Sequence, residues 1–257
     1  MSELIFVGLG LAGTKDITLR ALQAIRNART VYAEFYTSHL IGATHNQLER
    51  ELDKRVVLLS RDDTESGAEK VLAAAAEHRV AFLTAGDPMT ATTHQDLRLR
   101  AEQRGIPVRI VHGVSIQVAA PGAAGLQSYK FGRTTTVVFP QPNFNPVSPY
   151  ETIRDNKGRG LHTLVLLDLR ADENRFMTAG QGLGVLLGHE EERRENVVTE
   201  ASEVVALARV GADDEVVRFG AAQRLREADL GPPLHCLIVP GDLHFAEREA
   251  LERRRLA

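Results

Sequence analysis

Short apolar runs alternating with helically periodic segments constrain the fold of this chain more than any other feature. Runs at residues 4–7, 30–33, 55–59, 80–84 and 108–111 are short and almost continuously apolar, as strands buried on both faces are. Between them, segments 16–28, 44–52, 65–77 and 93–103 read as helices. In the first of these, Ile17, Leu19, Ala21, Leu22 and Ile25 recur on a helical period. Strands and helices that alternate through short connections build a mainly parallel sheet with helices on both faces.

The pattern changes after His112. A small-residue stretch at 119–125 suits a domain junction, and strands are expected at 134–139, 163–168, 203–210, 215–220 and 234–239. Residues 210–214, Val-Gly-Ala-Asp-Asp, read as a hairpin loop, which makes the flanking pair antiparallel. The Pro/Asn-rich run 140–149 is a long loop. The expectation is therefore two α/β domains, residues 1–113 around a mainly parallel sheet and residues 114–257 around a mixed one. A formal net charge of −3 argues against a protein that wraps nucleic acid. The one cysteine, Cys236, lies in an apolar run and reads as a core residue. It cannot form an intramolecular disulfide, which fits a reducing cytoplasm. The first strand lacks the basic flank and length of a signal peptide. No apolar segment approaches the roughly 20 residues of a membrane span.

The densest polar stretch, Ala85-Gly86-Asp87-Pro88-Met89-Thr90-Ala91-Thr92-Thr93-His94, follows the strand at 80–84. Ligands of open α/β sheets bind at that carboxyl edge. Thr92 with Gln95 reads as a capping box for the next helix. Gly8-Leu9-Gly10-Leu11-Ala12-Gly13 resembles a dinucleotide-binding turn, but only Glu34 is placed to hold a ribose. A tight turn that lets backbone approach another ligand is the alternative. No histidine pair has metal-ligand spacing with a third ligand, and no nucleophile elbow or Walker lysine occurs. Ser115, in His112-Gly113-Val114-Ser115-Ile116, reads either as a ligand contact or as a helix cap. His235 reads as a satisfied core imidazole.

Six strings in order and spacing carry a family resemblance: Gly8-Leu9-Gly10-Leu11; Ala33-Glu34-Phe35-Tyr36-Thr37-Ser38; Gly86-Asp87-Pro88 with Ala91-Thr92-Thr93-His94; Tyr129-Lys130-Phe131-Gly132; Gly160-Leu161-His162-Thr163-Leu164; and Pro232-Pro233 with His235. Together they resemble the diphthine synthases, a branch of the tetrapyrrole-methylase-like methyltransferases. The resemblance implies S-adenosylmethionine bound between two α/β domains, usually in a homodimer. It implies methylation, three times over, of the amino group of 3-carboxy-3-aminopropyl-histidine on translation elongation factor 2, giving diphthine. Carried over by motif, the cofactor contacts are Leu11, Asp87, Thr90, Ser115, Ile116, Leu167, Val210 and His235. His112-Gly113-Val114-Ser115-Ile116 departs from the more usual His-Ala-x-Ser-Ile, and Met89-Thr90 stands where aliphatic pairs are common. A tetrapyrrole C-methyltransferase on the same scaffold is the alternative activity.

Methyl transfer to an amine requires neither a metal nor a protein nucleophile. Alignment of the reacting groups can supply roughly 7 to 11 kcal/mol. The acceptor amine must shed a proton that alkylammonium groups hold to about pH 10. His112 and His94 are candidate proton acceptors because imidazole titrates near neutrality. Lys130, Arg133 and the 140–149 loop are candidates for docking a protein substrate.

Overall fold

The structure, a computed structural model, describes all residues except 37–39, 66 and 257. Thr37 and Ser38 of the second string thus lie outside the described residues. The chain divides into two compact units, Met1–Ile116 with Arg170–Asn174, and Gln117–Leu169 with Arg175–Ala257.

The first unit holds strands β1 (Glu3–Gly8), β2 (Thr30–Glu34), β3 (Val57–Leu59), β4 (Arg79–Thr84) and β5 (Val108–Val111). They form one parallel sheet in the order β3-β2-β4-β1-β5. Helices α1 (Leu19–Arg26), α2 (His45–Leu52), α3 (Arg61–Glu65), α4 (Glu69–Glu77) and α5 (His94–Gln103) connect them. Alternate residues of the strands face opposite layers. Ile5, Val7, Ala81 and Leu83 pack with Ala21, Ile25, Leu48 and Leu52, whereas Leu4, Phe6, Val80 and Phe82 pack with Val71, Leu72, Leu97 and Ala101. Apolar side chains on both faces explain the near-continuous hydrophobic runs.

Helix α1 begins later than the periodicity suggests, because the Thr18 hydroxyl accepts the Ala21 N–H at 3.1 Å and caps it. The helix expected over 65–77 begins only at Glu69, as α4, and a separate short helix, α3, precedes it. Ser60 and Asp63 cap α3 reciprocally, and the Gly67 N–H turns back to the Asp62 carbonyl at 2.6 Å. That bond ends α3 before the alanine-rich α4 starts.

The second unit contains α6 (Ile116–Ala124), whose first residue belongs to the first unit, then β6 (Thr135–Val137), α7 (Ser148–Lys157) and β7 (Thr163–Leu167). A two-stranded ribbon, β8 (Leu169–Arg170) with β9 (Arg175–Phe176), leads to α8 (Ala179–Arg193). Strands β10 (Glu203–Ala208) and β11 (Val216–Ala221), helix α9 (Ala222–Glu227), strand β12 (His235–Val239) and helix α10 (Phe245–Glu252) complete it. The sheet order is β11-β10-β12-β7-β6. Only β6 and β7 run parallel, and the 210–214 turn joins an antiparallel pair, so this sheet is mixed. Its core includes Val165, Leu183, Leu186, Val204, Ala206 and Leu237. Cys236 is buried and its thiol is pushed up to about 12 by burial, which makes it inert.

Two buried carboxylates organise this unit. Glu190, near the end of α8, accepts the backbone N–H groups of Asn196, Val197 and Val198 and the Tyr150 hydroxyl at 2.7–3.0 Å. Glu247, in the first turn of α10, accepts from Lys130 Nζ at 2.7 Å, from the backbone of Gln127 and His244, and from His162 Nε2 at 3.2 Å. Lys130 is therefore a structural partner as well as a docking candidate.

Candidate active site at the strand ends

Strands β4, β1 and β5 are adjacent and parallel, so their carboxyl ends open on one edge. The chain leaves β1 toward α1 on one face and β4 toward α5 on the other. Divergent connections of this kind leave room for a ligand between neighbouring strand ends. Leu11 follows β1, Asp87 and Thr90 follow β4, and Ser115 and Ile116 follow β5. Five of the eight predicted cofactor residues thus share this edge.

Glycine makes the edge possible. Gly10 and Gly86 pair as an antiparallel bridge, with Gly86 N–H to Gly10 O at 2.6 Å, and both adopt positive φ, +83° and +71°. A Cβ added at Gly8 would lie 2.5 Å from both Gly113 N and Gly86 O, so three loops meet backbone to backbone. A Cβ at Gly86 would meet Val114 O at an ordinary contact distance of 4.0 Å, so the positive φ, and not crowding, is what favours glycine there.

The glycine-rich loop is closed to a pyrophosphate. Asp16 Oδ2 accepts the Ala12 N–H at 2.7 Å and the Gly13 N–H at 3.4 Å. The donors that would cradle a phosphate are taken, and a carboxylate stands where the anion would sit. Glu34 does not serve a ribose either. It is fully buried and accepts from Thr84 Oγ1 at 2.5 Å and from the Tyr36 N–H at 3.2 Å, and it lies 3.2 Å from His94 Nε2. The turn therefore serves close backbone approach. Asp16→Ala should free two loop donors and cost about 1 kcal/mol of stability in urea unfolding; an unchanged unfolding midpoint would show that this loop needs no anchor.

The β4–α5 loop is held from within. Asp87 Oδ1 accepts the Met89 N–H at 3.0 Å and the Thr90 hydroxyl at 3.4 Å, and Oδ2 lies 2.7 Å from His112 Nδ1. The expected Thr92–Gln95 capping box is absent. The cap position falls on Thr93, while the Thr92 hydroxyl and His94 Nδ1–H both donate to Pro88 O, at 3.0 and 2.8 Å. The Pro88 carbonyl accepts from both and draws them back over the turn. His94 is buried between Phe6 and Phe82, remote from solvent.

In the second unit, the other three predicted residues also share one edge. Leu167 ends β7, Val210 follows β10, and His235 begins β12. Register places Ala208 opposite His235 and Leu166 opposite Cys236, so the three lie on neighbouring strands at the same level. His235 Nδ1 accepts the Ala179 N–H at 3.1 Å, and its Nε2–H donates to the carbonyls of Gly231 and Pro232. Burial holds its pKa below the usual histidine range, so the ring is neutral. Both ring nitrogens are occupied, as the sequence suggested, which leaves its backbone and ring face for a ligand. Arg209 braces the same edge by donating to Leu230 O and to the Asp214 carboxylate.

Sequence reasoning did not single out Asp16 or the Asp87–His112 pair. Asp16 stands three residues past the last glycine of its loop, a spacing that suits a side chain folding back on the turn. The Asp87–His112 contact joins positions 25 residues apart, and no local pattern reports it.

The family model for Tetrapyrrole (Corrin/Porphyrin) Methylases matches residues 3–226. The chain is 46% identical over 249 residues to a diphthine synthase of Methanococcus maripaludis, with 97% of each chain covered. It is 47% identical over 251 residues to a diphthine synthase of Methanocaldococcus jannaschii, again with 97% of each covered. A crystal structure of diphthine synthase superposes with a TM-score of 0.90 at 37% identity, covering 99% of this chain and 96% of that one. With a family model matched over residues 3–226 and 46–47% identity over 97% of its length, the chain belongs to the tetrapyrrole (corrin/porphyrin) methylases and groups within them with the diphthine synthases.

Proposed function

We propose that this protein is an S-adenosylmethionine-dependent N-methyltransferase acting on elongation factor 2. It methylates the amino group of 3-carboxy-3-aminopropyl-histidine to give diphthine in a reducing cytoplasm. The observation that carries this reading is the gathering of all eight motif-derived positions onto two sheet edges, five in one unit and three in the other, in a chain matched end to end by diphthine synthases. The names of those relatives favour this activity over methylation of a tetrapyrrole carbon.

The residues suit the donor. The backbone-lined edge where the three loops of the first unit meet suits an adenosyl group, with Leu11 and Ile116 as apolar groups beside it, and Leu167 and Val210 are apolar groups on the strand edge of the second unit. When bound, S-adenosylmethionine supplies an electrophilic methyl group: the amine lone pair forms the C–N bond, and the C–S bonding pair stays on sulfur. Asp87, ordered by Met89 and Thr90, fixes the loop that orients the donor. Alignment of donor and acceptor can supply roughly 7 to 11 kcal/mol toward the barrier. A homodimer is the proposed working form.

The test combines purified protein, methyl-labelled S-adenosylmethionine and elongation factor 2 carrying the unmethylated intermediate. Label should enter the factor, and mass spectrometry of the modified histidine should count up to three methyl groups. Label entering a porphyrinoid and sparing the factor would select the alternative activity.

A further inference from the structure

We propose that His112 takes the proton the acceptor amine must lose, with Asp87 holding the imidazole so that Nε2 carries the lone pair. This deepens the function proposed above and rests on it for the identity of the acceptor.

The geometry is specific. A carboxylate can only accept, so the 2.7 Å contact between Asp87 Oδ2 and His112 Nδ1 puts a hydrogen on Nδ1. A neutral ring so held has its lone pair on Nε2. Asp87 is 8% exposed and its other oxygen is tied to Met89 and Thr90, so the carboxylate cannot swing away. The His112 side chain is 71% exposed, and no described residue bonds to Nε2. Asp87 is the one charged side chain among the described residues in contact with this ring. Position supports the role: His112 directly follows β5, and its neighbour Gly113 packs against Gly8 at the strand edge.

The other histidines at the sheet edges are spent. His94 is buried, with Nδ1 on Pro88 and Nε2 beside Glu34. His235 has both nitrogens engaged. His162 accepts the Gly241 N–H at Nδ1 and faces Glu247 through Nε2. Among these described histidines at the sheet edges, His112 alone combines a carboxylate behind the ring with an open nitrogen in front.

The proton balance is simple. Each methyl transfer requires the acceptor ammonium to give one N–H proton, which passes to Nε2. The imidazolium that forms is neutralised by Asp87 and gives the proton to water through its exposed face. No electrons are gained or lost by the protein.

The experiment uses the full chain with histidine labelled in both ring nitrogens. In nitrogen NMR spectra recorded where the ring is neutral, His112 should show the Nδ1–H tautomer, and Asp87→Asn should shift it toward Nε2–H. His112→Gln should keep its affinity for S-adenosylmethionine within about three-fold by calorimetry. Its methylation of elongation factor 2 at neutral pH should fall roughly 100- to 10,000-fold, the range general-base removal produces. The deficit should shrink toward alkaline pH, where the amine loses its proton unaided. An Nε2–H tautomer in the unmutated protein, an undiminished rate, or a deficit constant across pH would overturn the proposal. If the unmutated protein binds the donor yet methylates no elongation factor, the functional reading falls, while the tautomer still decides the dyad.

Discussion

Gly8→Ala is expected to destabilise the protein by about 3 kcal/mol, the upper range for forcing a methyl group into packed surroundings, and to lower affinity for S-adenosylmethionine at least ten-fold. The added Cβ would fall 2.5 Å from Gly113 N and from Gly86 O, both backbone atoms. No side chain is available to rotate away. Gly8 ends a central strand, paired with β4 along its whole length, so the strand cannot slide to relieve the clash. The loops after β4 and β5 must instead separate from the edge, and they carry Asp87, Thr90, Ser115 and Ile116. Stability is read from urea unfolding and affinity from calorimetry. Gly122→Ala is the control: an added Cβ there meets nothing within 4 Å, and it sits inside α6, so the change should be neutral or stabilising by about 0.5–1 kcal/mol. If Gly8→Ala behaved like the control, backbone contact between the three loops would not be what builds the edge.

Glu247→Gln is expected to cost about 3 kcal/mol at pH 7 and to remove much of the acid sensitivity of the second unit. Burial pushes the Glu247 carboxyl up, but hydrogen bonds from Lys130, from the backbone of Gln127 and His244, and from His162 outweigh it and hold the pKa at about 2, against 4.5 for the free side chain. A carboxyl depressed by that much contributes roughly 3 kcal/mol. This stability is fully present above about pH 4.5 and is lost as pH falls toward 2, because the unfolded chain takes up the proton first. Glutamine keeps the shape and can still accept one bond. It cannot pair with Lys130, whose ammonium is left partly buried. Urea titrations at pH 7 and pH 3 check the sign: the unmutated protein should lose far more stability between them than Glu247→Gln. His162 and His235, both held below the usual histidine range chiefly by burial, add a milder loss that begins as pH falls through 6.5. Equal losses in both proteins between pH 7 and pH 3 would take Glu247 out of the acid response.

The parallel sheet of the first unit was legible in the sequence because buried parallel strands need apolar side chains on both faces, and runs such as Leu4-Ile5-Phe6-Val7 have no other good use in a globular chain. The 210–214 turn was legible for a similar local reason: Gly211 and two aspartates favour reversal over extension. The eight proposed cofactor positions could also be named from the sequence, through a family resemblance that six strings carry by their order and spacing. Tertiary structure decided what these strings do. Gly8-Leu9-Gly10 reads as a dinucleotide turn until Asp16 folds back onto its donors and Gly113 fills the space a side chain would need. Thr92 and His94 read as helix-capping and catalytic groups until the Pro88 carbonyl draws both inward. Asp87 and His112 become a pair only because β4 and β5 flank β1, which brings residues 25 apart in the chain to 2.7 Å. Local periodicity reports burial, residue by residue. Which loops meet, and which nitrogen of a histidine stays open, depends on strand order, and strand order is set by packing between segments distant in the chain.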